Sequence, residues 1–237
     1  TGGSGLRCNE NAAFAYALRM PSVNEENLNQ SLVIIVPNTM EYGGSCYLWE
    51  DGSAIALCPL NANEYPYDSR GVIQHLAGGN GFGKLGNEDI SCFAFISDAD
   101  RQIFERMKAL GWYENLSLTG KMHDVPWAHL IFDSRYSDKV DVYEGGYSFS
   151  RGVFRSEQNS CMNNNIAYYN TISREAIVKR IMQYAGETYS FEKFVENDMK
   201  SLYGLSRFAK EKQVNVRRGG NQYPPVIRKG RPAVLNR

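Results

Sequence analysis

The chain has 237 residues, 43% of them hydrophobic, and its 26 lysine and arginine residues balance 26 acidic ones. This length and apolar content suit one domain with a sizeable core, which we place at residues 1–210. The absence of net charge gives no indication of a nucleic-acid partner. The sequence holds no run of the roughly 18 to 20 apolar residues that cross a bilayer, so we expect no membrane span.

Hydrophobic periodicity predicts alternating helices and strands in the first third of the chain. The first helix should end before Pro21, and the last is weakened by Gly78 and Gly79. In chain order, the predicted elements are a helix at 11–20, strands at 32–36 and 53–57, and a helix at about 70–82.

Helices dominate the later part of the sequence. Asp98 is predicted to cap a helix that ends at Gly111, and Ser173 to cap one that ends before Gly186. A further helix is expected to begin near Ser190. The alternation of strands and helices predicts an α/β fold with a mostly parallel sheet, packed helices and a helical C-terminal half.

Residues 211–237 have a different composition from the rest of the chain. They are basic and rich in proline and glycine, with little apolar periodicity. We therefore predict a solvated tail that is extended or disordered.

The most informative stretch runs from His75 to Asp89 and reads HLAGGNGFGKLGNED. It resembles the HEAGGHGFGKLADEY stretch of the M64 (IgA peptidase type) zinc metallopeptidases of Bacteroidetes. The resemblance covers about residues 1–200. Other segments on both sides of this stretch, several of them Gly-rich, occur in the same order as in the family. These are YGGSCY at 42–47, DGSAIALCP at 51–59, YPYDSRG at 65–71, YEGGY at 143–147 and RGVFRSEQNSCMN at 151–163.

This resemblance implies a zincin-like metallopeptidase catalytic domain with a zinc ion, a protein or peptide substrate and an exported, extracytoplasmic location. It implies that residues 151–163 carry a methionine turn below the metal. It also implies that an accessory domain and further strands precede the matched region. We therefore expect the chain to begin inside the fold, either because it has been trimmed or because the gene product has lost its front half. The second case predicts an exposed sheet edge or a partner that covers it.

The resemblance assigns the reactive positions residue by residue. In the family motif, two histidines and a following acidic residue are metal ligands, and the Glu after the first His is the general base. His75 matches the first histidine, whereas Leu76 stands at the general base and Asn80 at the second histidine. Asn87 stands at the acidic ligand, and Glu88 matches the Glu that follows it.

Each substitution removes a chemical function. Leu76 has no proton acceptor, so a metal-bound water would lack its general base. The amides of Asn80 and Asn87 are much weaker zinc donors than imidazole or carboxylate, and His75 alone cannot hold zinc tightly. We therefore predict a pseudopeptidase, with zinc absent or weakly bound, that binds a protein or peptide.

The spacing of the motif also predicts an unusual helix. The commoner His-Glu-x-x-His pattern places its ligands four residues apart, on one side of an α-helix. His75 and Asn80 are five residues apart, so we expect a bulged turn, which Gly78 and Gly79 would allow.

Two other interpretations stay open from the sequence. One is an active metallopeptidase with a rearranged ligand set that includes His75, Glu88 and either His123 or His129. A histidine near Trp127 is more often a hydrogen-bonded structural residue. The other is that the three substitutions were introduced on purpose into an active zinc peptidase.

The remaining candidates are tyrosines and cysteines. By the resemblance, Tyr143 and Tyr147 lie where they would wall a substrate cleft for a peptide or glycan; ordinary packing is the alternative. Cys161 is either a nucleophilic thiol or a buried inert one. The cysteines at positions 8, 46, 58, 92 and 161 allow two disulfides plus a free thiol, or five thiols.

Overall fold

A computed structural model describes residues 6–38, 43–59, 68–90, 93–166, 168–198 and 225–232. These residues form a mixed α/β protein with helices and two four-stranded sheets. The chain divides into two compact units. Unit 1 comprises Thr1–Phe82 and Gly219–Arg237, and unit 2 comprises Gly83–Arg218.

The strands are β1 (Leu32–Ile35), β2 (Ser45–Trp49), β3 (Ala54–Leu57), β4 (Phe93–Phe95), β5 (Leu116–Ser117), β6 (Tyr143–Gly146), β7 (Phe149–Arg155) and β8 (Val226–Arg228). The helices are α1 (Glu10–Ala17), α2 (Asp68–Ile73), α3 (Asp98–Ala109), α4 (Ala128–Ile131), α5 (Cys161–Asn164), α6 (Thr171–Ala185) and α7 (191–198). A short 3-10 helix spans Leu28–Gln30, and a π-helix spans Gln74–Phe82.

Unit 1 is built on a sheet with the strand order β1-β3-β2-β8. Its core lies between this sheet and α1, where the Phe14 ring meets the Trp49 ring edge to face with centroids 4.9 Å apart. Every residue of β2 and β3 is buried. Strand β8, which lies inside the region predicted as a tail, pairs in parallel with β2. The predicted boundary at residue 210 falls outside the described residues.

Unit 2 is built on a second sheet, in which β7 pairs with β4, β5 and β6. A large apolar cluster that includes Trp127, Tyr136 and Phe194 forms one part of its core. A smaller cluster contains Leu85, Met162 and Ala176.

The expectation of a mostly parallel sheet needs correction, because each sheet combines parallel and antiparallel pairs. Strands β2 and β3 are joined by a short turn at 50–53, and β6 and β7 by the two residues Tyr147 and Ser148. Connections this short can only join antiparallel strands, since a parallel pair needs a crossover of a dozen or more residues.

The predicted helices at 11–20, 98–110, 173–185 and near 190 are all present. Helix α1 ends at Ala17, three residues before the predicted end, and α3 and α6 start earlier than predicted. Ser97 rather than Asp98 caps α3: its backbone is extended and its side chain accepts from the Asp100 N–H. Asn170 rather than Ser173 caps α6 in the same way. A capping residue lies outside the helical dihedrals, and Asp98 and Ser173 are already inside the first turn.

No helix within the described ranges is both long and apolar enough to cross a membrane.

Candidate functional site

The predicted irregular helix is present in unit 1 as a change of helix type. Helix α2 gives way at Gln74 to a π-helix that continues to Phe82. A π-helix closes its backbone hydrogen bonds between residues five apart, instead of four. His75 and Asn80, which are both buried, therefore lie one turn apart on the same side of this helix.

The π-helix packs closely on the sheet of unit 1 at Gly81. A Cβ atom at this position would lie 2.6 Å from Leu32 Cδ1 and 3.2 Å from the Leu76 carbonyl oxygen. A side chain at residue 81 would displace the end of the Leu32 side chain, so the glycine allows the helix to lie this close to β1. Leu76 itself is 0% exposed. The position that the resemblance assigns to a general base therefore holds a buried aliphatic side chain.

The Asn87–Asp89 segment lies in unit 2, against the turn between β6 and β7. The Tyr147 N–H donates to the Asn87 carbonyl oxygen (2.7 Å), and the Ser148 N–H donates to that of Asp89 (2.8 Å). Tyr147 and Ser148 both have positive φ, 54° and 68°, as a type I′ hairpin turn requires. These bonds fix the segment's backbone to the hairpin.

Glu88 is fully buried, and three side chains donate to its carboxylate. Asn115 Nδ2 donates to Oε1 at 2.8 Å and Asn170 Nδ2 to the same atom at 2.7 Å. The Ser160 hydroxyl donates to Oε2. The donors are tied to the backbone in turn, since Asn115 also bonds both backbone groups of Gly86. Glu88 thus joins three separate segments of unit 2.

The environment of Glu88 favours its neutral form. Burial raises the pKa of Glu88 to about 7, although the hydrogen bonds from Ser160, Asn115 and Asn170 and the charge of Arg155 act in the opposite direction. Desolvation penalises a carboxylate that has no direct ion pair with a cation. Glu88, which matches the glutamate of the family motif, is therefore held by neutral hydrogen-bond donors and is shielded from water.

The segment predicted to carry a methionine turn lies beside Glu88. The Glu88 N–H donates to the Met162 carbonyl oxygen at 2.8 Å, and the Met162 side chain is buried with Leu85 and Ala176. Ser160 begins α5 as its cap, accepting from the Met162 N–H at 3.1 Å. One serine therefore both starts this helical turn and donates to Glu88.

The two tyrosines assigned to a substrate cleft have different environments. The Tyr147 ring is 6% exposed and packs against the rings of Phe104, Tyr113 and Phe149. Burial on that scale leaves little surface for a ligand, so packing describes Tyr147 better than substrate binding. Tyr143 is half-buried and lines an open cleft of unit 2.

The side chains considered for a rearranged metal site are engaged elsewhere. His129 Nε2 lies 2.8 Å from a carboxylate oxygen of buried Glu175, and the His123 ring stacks on Phe132. The Glu88 carboxyl group accepts hydrogen bonds from Asn115, Ser160 and Asn170. Within the described ranges, no three or more His, Cys, Asp and Glu side chains are grouped so that they could hold a metal ion.

The expected zinc-binding positions have a donor set that does not fit zinc. They offer one imidazole, from His75, and two amides, from Asn80 and Asn87. Zinc in proteins is held by imidazole, thiolate or carboxylate, so two of the three positions supply neutral oxygen or nitrogen donors of low affinity.

The described cysteines form no disulfide with one another. They are Cys8, Cys46, Cys58 and Cys161, whereas Cys92 lies outside the described residues. Cys161 is fully buried, and burial raises its pKa far above the ordinary thiol range. A thiol held in its neutral form is a poor nucleophile, which favours the inert alternative.

Sequence reasoning did not find the partners of Glu88. Asn170 carried a local signal, because an asparagine directly before a helix is a common cap. Asn115 is 27 residues from Glu88 and Ser160 is 72 residues away, and neither distance is encoded in any local pattern.

No known protein family matches this chain, and no characterised protein is significantly similar to it in sequence.

Proposed function

We propose that this chain is a zincin-like, M64-related peptidase domain that has lost metal-dependent proteolysis and binds a protein or peptide without cleaving it. The same resemblance leads us to propose an exported protein. The proposal combines the sequence resemblance with the form of the π-helix.

The π-helix is the observation that carries the proposal. A motif with its two histidines five residues apart needs a helix whose turn closes over five residues, and residues 74–82 form such a helix. His75 and Asn80 consequently share one side of the helix. The backbone thus has the form that a two-ligand metal site would require, whereas one of the two side chains is an amide.

Loss of catalysis follows from the side chains at these positions. Hydrolysis at a zinc ion needs about three protein ligands, an open coordination position and a base for the bound water. Leu76 is aliphatic and buried, so it offers no proton acceptor. Asn80 and Asn87 offer amides. A scaffold that keeps its shape without these groups retains surfaces for binding.

The proposal can be tested by restoring the motif. We would compare the natural chain with a variant that carries Leu76→Glu, Asn80→His and Asn87→Asp together. Elemental analysis after dialysis against zinc should find no bound zinc in the natural chain and about one zinc per chain in the variant. The restored protein should also cleave an unstructured protein such as casein, and a chelator should abolish that cleavage.

Leu76→Glu alone is the matched control. It should bind no zinc and should be less stable than the natural chain by about 2–4 kcal/mol, because it buries a carboxyl group at an apolar position. Added zinc should raise the melting temperature of the triple variant but not of this control. Zinc-dependent, chelator-sensitive cleavage by the natural chain would overturn the loss of catalysis. A folded triple variant that takes up no zinc would overturn the relation to zinc peptidases.

A further inference from the structure

Unit 2 contains an open cleft of about 490 Å³. Strand β6 contributes Tyr143 and Glu144, β7 contributes Arg155, and the wall is formed by the 158–164 segment, which includes α5. The volume falls within the range of small-molecule sites, about 300–1,000 Å³.

A rigid floor underlies this cleft. The β6 strand has a register shift between Glu144 and Gly146, and Arg155 Nη1 donates to the carbonyl oxygens of Glu144 (2.9 Å) and Gly145 (2.8 Å). Gly145 has a φ of +107°, and a Cβ there would lie 2.4 Å from Ile90 Cγ2. Nη1 of Arg155 is therefore engaged with the backbone and holds the bulge that shapes the floor, whereas its buried Nε atom has no hydrogen-bond partner among the described residues.

The wall carries amide groups that make hydrogen bonds within the 158–164 segment. Asn163 Nδ2 donates to the Gln158 carbonyl oxygen at 3.0 Å, and Asn164 Nδ2 donates to Asn159 Oδ1 at 2.8 Å. The other polar atom of each amide bonds to no described residue. These atoms are Oδ1 of Asn163, Oδ1 of Asn164 and Nδ2 of Asn159. Two acceptors and one donor are thus available to a ligand.

The chemistry of the lining selects a neutral, hydroxyl-rich ligand. Glu144 and Arg155 are the charged residues of the lining and have opposite signs, so the cleft has no net charge to attract an ion. Ile90 and the Tyr143 ring supply the apolar surface, which is too little for the side-chain pockets that peptide recognition uses. A sugar presents adjacent hydroxyl groups, each both a donor and an acceptor, together with a C–H face that packs on an aromatic ring.

We propose that this cleft binds a neutral carbohydrate, with the amides of Asn159, Asn163 and Asn164 bonding the hydroxyl groups and the Tyr143 ring contacting the sugar face. This site is independent of the π-helix, so it would function whether or not unit 1 ever held a metal.

Saturation-transfer NMR on the full chain tests this proposal. The probes are cellobiose, lactose and N-acetyllactosamine, with a capped penta-alanine peptide as the alternative ligand. At least one saccharide should show transfer, and the double variant Asn163→Ala, Asn164→Ala should lower its affinity about tenfold, as expected for two lost hydrogen bonds. Gln102→Ala, an exposed amide on α3, is the matched control and should leave the affinity unchanged.

A second measurement does not depend on the folding of that variant. In protein with labelled isoleucine methyl groups, the bound saccharide should shift the Ile90 resonance, assigned with Ile90→Val, and leave that of Ile103 on α3 unmoved. No transfer from any of the three saccharides would overturn the proposal. Transfer from the peptide alone, with the Ile90 shift, would reassign the cleft to peptides.

Discussion

The π-helix of unit 1 and the Asn87–Asp89 segment of unit 2 hold the two halves of one sequence motif in opposite ways. In the π-helix the backbone is unusual, and the residue at the position expected for a general base is the buried Leu76. In the second segment the backbone is held by ordinary turn and loop bonds, whereas Glu88 is bound by three side chains. The shape of a motif and its chemistry are therefore separable. Glycines and helix type determine the first, and a few side chains determine the second.

The largest effect is expected from removing the carboxyl group in the second segment. Glu88→Ala would leave the donors of Asn115, Asn170 and Ser160 buried without their acceptor, and we expect a loss of about 3–5 kcal/mol in the free energy of unfolding. Urea denaturation measures it, with Glu105→Ala on the exposed side of α3 as the control. If Glu88→Ala lowered the free energy of unfolding no more than Glu105→Ala does, the hydrogen bonds to Glu88 would not be what stabilises the second segment.

The pH dependence of stability should report the protonation of Glu88. The pKa of Glu88 is raised from 4.5 to about 7, so between these values the folded chain keeps a proton that the unfolded chain releases. The free energy of unfolding should then fall as pH rises through this window, by about 3 kcal/mol for this group. Urea denaturation at several pH values, compared with Glu88→Gln, isolates the effect. Parallel pH profiles for the two proteins would contradict it.

A change in the π-helix should act through packing alone. Gly81→Ala would place a methyl group 2.6 Å from Leu32 Cδ1, and we expect a loss of about 1–3 kcal/mol in the free energy of unfolding as the Leu32 side chain is displaced from its packing. Gly230→Ala is the matched control in unit 1, because a Cβ there meets no atom within 4 Å. Thermal unfolding of both variants measures the difference. Equal stability would mean that the close approach at Gly81 is not needed.

The smallest effect is expected from one of the donors to Glu88. Ser160→Ala removes a hydrogen bond to the carboxylate and the cap of α5, with an expected loss of about 1–2 kcal/mol. Because the lost bond favours the charged form, the pH window over which stability falls should also extend to higher pH. Capping loss alone would lower stability without moving that window, so the two contributions can be distinguished.

Local sequence patterns predicted the elements whose formation depends on neighbouring residues. Helices α1, α3 and α6 and strands β1 and β3 follow from apolar periodicity and from stop signals such as Gly186, which ends α6 with a φ of +69°. The five-residue spacing of His75 and Asn80 together with Gly78 and Gly79 predicted a departure from the α-helix. The helix starts were misplaced by one to three residues, because several capping residues competed at each start.

Elements and contacts between distant segments were not predictable in this way. Strand β8 was not predicted because three residues in a polar, Pro-rich region carry no periodic signal, and pairing with β2 makes them a strand. The cleft beside Tyr143 arises because a bulge in β6, a charged side chain of β7 and the 158–164 segment meet in space.

The sequence by itself determined which chemical groups stand at each position of the motif, because the identity of a side chain fixes whether it can donate a proton, accept one or bind zinc. It therefore determined that residue 76, the position expected for a general base, is aliphatic, and that residues 80 and 87, two positions expected for metal ligands, are amides. Only the tertiary structure decided that Leu76 is buried and that Glu88 is a buried carboxyl group with a raised pKa. It also decided that Asn163 and Asn164 line a cleft. Burial, hydrogen-bond partners and cavities depend on segments far apart in the chain, and no local pattern specifies how those segments meet.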